Sequence, residues 1–217
     1  MPDFLRRPIA ARDTTWAAAT ARRLARAGVR PNLISVFSIV FAAAGGASLA
    51  ALGWVEHPPA RIACLVGAIA GIQLRLLCNL FDGMVAIEEG RKTPSGAIYN
   101  ELPDRFADAF VLVGAGYAAP APVWSVELGW LAAVLAVITA YVRALGGSAG
   151  ADQHFIGPMA KQHRMALLTG ACALAIVLEF VMPSFPVFAW SLGIIAAGCL
   201  LTIFRRCRLI VRALEAK

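Results

Sequence analysis

Residues 79–108 read NLFDGMVAIEEGRKTPSGAIYNELPDRFAD, and six of the chain's 13 acidic residues fall in them: Asp82, Glu88, Glu89, Glu101, Asp104 and Asp108. The stretch leaves one long hydrophobic segment and enters another. Carboxylates at a membrane boundary are costly unless they bind cations or line a wet cavity. Asn79 and Asp82 are three apart and share a helix face. Gly83 and Ala86 continue that face with minimal side chains, leaving room for a bulky ligand to approach the backbone. Beyond a polar turn, Gly96, Asn100, Asp104 and Asp108 recur every four residues. On a helix of 3.6 residues per turn such steps drift by only about 40°, so they form one polar stripe. Two facing helices that each offer oxygen ligands suit a hard divalent cation, Mg²⁺ or Mn²⁺. Pro103 lies inside this second helix, cannot bond the carbonyl of Tyr99, and predicts a kink beside Asn100.

The flanking sequence sets the environment of this stretch. The chain has 217 residues, is 59% hydrophobic and 15% charged, and has a mean hydropathy of +0.71. Its charges sit in blocks between long uncharged runs, the pattern of a polytopic membrane protein and not of a soluble domain. Leu33 to Val55 is uncharged for 23 residues, enough to cross a hydrocarbon core of about 30 Å. Further segments are expected from about Ile62 into the acidic stretch, with one buried cation, Arg75. Others run from Thr93-Pro94 to about Ala119, ended by Pro120 and Pro122, then about Trp124–Val142, Arg164–Val181 and Pro186–Phe204. The fold class expected is therefore an all-α integral membrane protein with six transmembrane helices.

Residues 1–30 carry seven arginines. They read as a cytoplasmic arm whose amphipathic helix, between a cap at Asp13 and a stop at Gly28, lies at the interface against anionic lipid. Residues 31–204 form the six-helix domain, and residues 205–217 a basic cytoplasmic tail. Lys and Arg crowd the arm, the second-to-third and fourth-to-fifth connections and the tail, whereas the opposite loops hold only Arg61. By the positive-inside rule both termini and the acidic stretch face the cytoplasm of a cell (inner) membrane. The net charge of +7 is spread in this pattern, which points to a membrane surface and not to nucleic acid. The N-terminus shows no cleavable signal peptide. The five cysteines lack C-x-x-C spacing and read as free thiols. Gly45-Gly46 and Gly67-x3-Gly71 predict close helix–helix packing, and Glu179 reads as an interfacial residue.

The spacing resembles the signature of the CDP-alcohol phosphotransferases (CDP-alcohol phosphatidyltransferases), D-x2-D-G-x2-A-R-x8-G-x3-D-x3-D. The chain reads Asn79-x2-Asp82-Gly83-x2-Ala86-Ile87-x8-Gly96-x3-Asn100-x3-Asp104. Every position is in register, and five of the eight signature residues are identical. The six-helix pattern, the N-terminal arm and Pro31-Asn32 extend the resemblance over essentially the whole chain. It implies a divalent-metal-dependent membrane enzyme of phospholipid biosynthesis. Such an enzyme moves a phosphatidyl or phospho-alcohol group from a CDP-linked donor, such as CDP-diacylglycerol, to the hydroxyl of a polar alcohol, and CMP leaves. Residue by residue, Asn79, Asp82, Asn100 and Asp104 would stand at the metal, with Asp104 also the candidate catalytic base. Gly83, Ala86 and Gly96 would border the cytidine and phosphates.

The chain departs from the signature where Asn79 and Asn100 replace acids, which lowers the formal charge of the four positions from −4 to −2, and where Ile87 replaces arginine. The departures mark a divergent subgroup with a weaker or single-metal site. Asp108 shares the stripe and is the residue expected to restore charge. Arg143, Lys161 and Arg164 form a basic group on the same side, suited to an acceptor's phosphate. A homodimer in the lipid bilayer is expected. The alternatives are a cation-coupled transporter, whose acids would sit near the bilayer midplane, and a catalytically degraded family member acting as a partner subunit.

Overall fold

A computed structural model of the chain describes residues 14–88, 96–118, 124–151 and 156–216. The expected features at Asp13, Thr93-Pro94, Pro120 and Pro122 lie outside these residues. Among the described residues seven helices follow in order: α1 (Thr15–Arg26), α2 (Pro31–Ala51), α3 (Pro58–Glu88), α4 (Gly96–Tyr117), α5 (Ser125–Ser148), α6 (Lys161–Val181) and α7 (Val187–Glu215). No strand occurs among the described residues.

Five of these helices, α2, α3, α5, α6 and α7, are long and apolar enough to cross a membrane. The sixth expected segment is α4. Its 22 residues reach about 33 Å at 1.5 Å per residue, but it carries Glu101, Asp104, Arg105 and Asp108. Large apolar side chains project outward along the bundle, among them Phe37 and Val40 on α2, Val134 and Ile138 on α5 and Ile194 and Leu201 on α7. Such a surface is stable only where the surroundings are themselves apolar.

The helix ends differ from the sequence reading in ways that bear on the site. Helix α3 starts at Pro58 and not near Ile62, because prolines need no hydrogen-bond partner in a first turn and the His57 carbonyl caps it by accepting from Ala60 and Arg61 N–H. Helix α5 runs past Val142 to Ser148, so Arg143 lies within the helix. Helix α6 begins one turn early, at Lys161. Helix α7 continues through the arginines to Glu215, so the basic stretch is the last turns of a helix and not a separate tail. Gly28 does end α1: its φ of 73° is open to glycine, and Val29 N–H closes the end on the Leu24 carbonyl.

Glycines set how closely the bundle packs. Helix α2 lies against both α3 and α4. A Cβ on Gly71 of α3 would sit 2.7 Å from the Gly45 Cα of α2. Gly46 of α2 and Gly114 of α4 are likewise backbone to backbone, and a Cβ on either would strike the other helix's main chain. Gly116 and Gly129 join α4 to α5 in the same way. Small residues let helices approach to van der Waals contact of their backbones where lipid supplies no hydrophobic drive for association. At the opposite end from the acidic stretch, Arg61 clasps three segments. Its Nε donates to both Glu179 oxygens at 2.8 and 3.0 Å, and its Nη1 donates to the Leu52 and Val55 carbonyls at 3.0 and 2.9 Å. Glu179 is thus part of a tertiary clasp and not simply an interfacial residue.

Helix α1 lies on the end of α3. Ala17 and Ala21 are buried in a cluster with Ile34, Leu80, Met84 and Val85, and Trp16 meets Phe81 edge-on at 6.0 Å. Arg22, Arg23 and Arg26 are exposed.

Candidate active site

Packing brings the acid-bearing parts of α3 and α4 to one end of the bundle, beside α2 and the start of α6. Asp82 lies six residues before the end of α3 and Asp104 eight residues after the start of α4, depths of about 9 and about 12 Å along the helices. Both are buried. One oxygen of Asp82 accepts from Ser35 Oγ of α2 at 2.7 Å and the other from the Gly83 N–H at 2.5 Å. Asp104 Oδ2 accepts from Lys161 Nζ at 2.5 Å, and its Oδ1 is buried without a hydrogen bond, 3.5 Å from Arg75 Nη2. Arg105 Nη2 approaches Asp104 Oδ2 at 3.8 Å. Asp82, Asp104 and Lys161 lie within one another's electrostatic reach.

The sequence-derived residues divide into three groups. Asn79 is partly buried beside Asp82, with its carboxamide nitrogen sealed from solvent and unpartnered. Amide nitrogen and oxygen are interchangeable assignments, so that position can equally present the oxygen to a cation. Asn100, one turn before Asp104, is exposed. Gly83 and Ala86 on α3 and Gly96 at the head of α4 are partly exposed, along the acid-bearing end. Ile87, where the signature has arginine, is exposed.

Asp108 departs from the ligand role expected of it. It is 1% exposed, Oδ1 accepts from Arg75 Nη2 at 2.5 Å, and Oδ2 accepts from Arg164 Nη2 at 2.5 Å. Both oxygens thereby face buried guanidinium cations, whose positive charges would repel a metal ion placed beside the same carboxylate. Arg164 departs likewise from the acceptor role. It is 2% exposed, and its Nη1 donates to the Met159 carbonyl at 2.8 Å. Arg75, Asp108 and Arg164 together tie α3, α4 and α6 through a buried ion triad. Of the predicted basic group, Lys161 and Arg143 retain partial exposure, and Arg143 Nη2 pairs with Glu101 Oε1 at 2.5 Å.

Sequence reasoning missed Ser35. Its signal was a polar pair, Ser35 and Ser38, three apart in an otherwise apolar segment and both buried. It noticed Arg75 as a buried cation without a partner. The partners lie 29 and 33 residues further on, at Asp104 and Asp108.

The donor chemistry fits one hard divalent cation better than two. Two carboxylates, Asp82 and Asp104, with the Asn79 and Asn100 carboxamides make an all-oxygen set, and the unbonded Asp104 Oδ1 is a free buried acceptor. Among the described residues no group of three or more His, Cys, Asp and Glu side chains converges as a metal site.

Comparison with known proteins bears on the fold. No protein-family profile matches the chain. An uncharacterized protein of Aquifex aeolicus (strain VF5) is 29% identical over 191 residues, 87% of this chain and 86% of that one. The crystal structure of Mycobacterium tuberculosis phosphatidylinositol phosphate synthase (PgsA1) with CDP-DAG bound superposes with a TM-score of 0.72 at 18% identity, covering 91% of this chain and 94% of that one. The same synthase in complex with manganese and citrate gives 0.70 at 20% identity, over 90% and 88% of the two chains. What this chain shares with that synthase is the all-helical fold, over nine-tenths of its length.

Proposed function

We propose that the chain is a membrane phosphotransferase of phospholipid biosynthesis that moves a substituted phosphate from a CDP-linked lipid donor to a hydroxyl acceptor, releasing CMP. The observation that carries this reading is that Asp82 and Asp104, in the register of the CDP-alcohol phosphotransferase signature, are both buried towards the same end of the bundle on two different helices. The fold shared with a synthase that binds CDP-DAG and manganese supports it. Asp82 lies about 9 Å from the end of α3, a helix of 31 residues, which favours an enzyme at the cytoplasmic face over a transporter.

In this reading Asp82, Asp104 and the Asn79 carboxamide would hold a single Mg²⁺ or Mn²⁺, and Asn100 would be a further oxygen donor. The bound cation would neutralise charge on the donor's pyrophosphate. Ser35 fixes the Asp82 carboxylate through its hydroxyl proton. Gly83, Ala86 and Gly96 leave space along the backbone for cytidine and phosphates. Asp104 takes the proton of the attacking hydroxyl, and the Lys161 ammonium beside it offers two further N–H donors to phosphate oxygens. Arg143, partly exposed at the same end, is placed for an acidic acceptor. Asp108, Arg75 and Arg164 act as positioning residues that fix α3, α4 and α6 relative to one another. Positioning and charge neutralisation carry most of the catalysis in phosphoryl transfer.

The test is CMP release by the purified protein from CDP-diacylglycerol with Mn²⁺ or Mg²⁺ and a panel of polar alcohols and alcohol phosphates. Acceptor-dependent CMP release is expected. Its absence with every acceptor, from folded protein, would reject the enzyme reading.

A further inference from the structure

The four signature positions hold only two carboxylates, and one of them already holds a cation of the protein's own. Lys161 Nζ stands 2.5 Å from Asp104 Oδ2 and Arg75 Nη2 stands 3.5 Å from Oδ1. Two divalent ions would add +4 to a neighbourhood whose other acids are already paired, Asp108 with Arg75 and Arg164 and Glu101 with Arg105 and Arg143. At separations of a few ångströms in a partly buried site, unbalanced charge of that size is strongly unfavourable.

The lysine is also held in place by construction. It is the first residue of α6, its side chain is only 17% exposed, and the loop before it is fastened to α7. Gly157, at φ 132°, lies where a Cβ would collide with Thr202. Thr202 Oγ1 accepts from Met159 N–H at 3.1 Å. The Met159 carbonyl in turn accepts from Arg164. An ammonium so anchored is a compact point charge with three donors, able to meet Asp104 and phosphate oxygens together.

Resting on the phosphotransferase reading above, we propose that Lys161 serves in place of a second metal ion: the site takes one divalent cation, through Asp82 and Asp104 Oδ1, and the Lys161 ammonium occupies Asp104 Oδ2 as the other positive charge. Loss of acids at Asn79 and Asn100 and the presence of a built-in cation are then two halves of one change, since fewer carboxylates suffice when one counter-charge is covalently attached.

The test is a Mn²⁺ titration of the purified full chain in neutral detergent, followed by electron paramagnetic resonance of free Mn²⁺, with no nucleotide or lipid donor present. Wild type is expected to saturate at one Mn²⁺ per chain. Lys161→Gln, which removes the competing charge, is expected to bind Mn²⁺ at least about tenfold more tightly, and Lys161→Arg, which keeps it, to bind as wild type does. Two Mn²⁺ per wild-type chain, no binding at all, or unchanged or weakened binding in Lys161→Gln overturns the proposal. Should Lys161→Gln not fold, the wild-type stoichiometry and Lys161→Arg still decide. The readout needs no turnover, so failure of CMP release and failure of this proposal are separate results.

Discussion

Asp108 and Arg164, 56 residues apart in sequence, are joined at 2.5 Å in the interior of the bundle, and the second oxygen of the same carboxylate holds Arg75. One carboxylate therefore neutralises guanidinium groups from two other helices. Breaking a buried ion pair by removing one partner costs about 3–5 kcal/mol, because the other charge is left uncompensated. Asp108→Ala strands Arg164 and leaves Arg75 only Asp104, at 3.5 Å. It is expected to lower stability by at least this amount, read as reduced thermal stability and reduced yield of monodisperse protein in detergent. Unchanged stability would return Asp108 to the list of ligand candidates.

Asp104 is the residue on which the chemistry turns. Asp104→Asn keeps the shape of the side chain and removes the charge and the base. A general base contributes about 10²–10⁴-fold, so CMP release is expected to fall by at least about 100-fold with folding retained. Comparable turnover in Asp104→Asn would reject its assignment.

Chelation should act on turnover and leave the fold intact. The triad and the glycine contacts hold the helices with no metal among their parts. EDTA is expected to abolish CMP release, Mn²⁺ to restore it, and the melting temperature to change little. A fold that collapses on chelation would show that the cation is structural.

The glycine contacts give a paired test of packing. Gly114→Ala forces a methyl into the Gly46 main chain, which can yield only by moving α2 from α4. Over-packing of this kind costs about 1–3 kcal/mol. Gly170→Ala, in α6, meets nothing within 4 Å and is expected to be neutral or mildly stabilising through helix propensity. Equal melting temperatures for the two variants would contradict the close approach of α2 and α4.

Glu179→Ala should loosen the far end of the bundle. It removes the two-oxygen partner of Arg61, whose side chain is 19% exposed, leaving that guanidinium the Leu52 and Val55 carbonyls. A loss of about 1–2 kcal/mol is expected, with Mn²⁺ binding unaffected. A change in metal affinity would mean that the two ends are coupled.

Much of this was legible because helix periodicity is local. Spacings of three and four place Asn79 with Asp82 and align Asn100, Asp104 and Asp108, and Gly45-Gly46 and Gly71 mark close packing. Ends of helices were less legible. Lys161 and Arg143 lie outside the boundaries that hydropathy puts at Arg164 and Val142 yet belong to α6 and α5, because a charged residue can extend a helix when its charge has a partner in space.

The sequence by itself determined that this is a chain of long apolar helices with a polar stripe near one end, since hydropathy pattern and segment length are properties of neighbours along the chain. Only the tertiary structure decided what each charge is for. Asp104 and Asp108 lie one turn apart on the same stripe. One faces Lys161 with an oxygen to spare, and the other is closed between Arg75 and Arg164. Their difference comes from which residues of α3 and α6 the tertiary packing brings opposite each of them, and no spacing within α4 contains it.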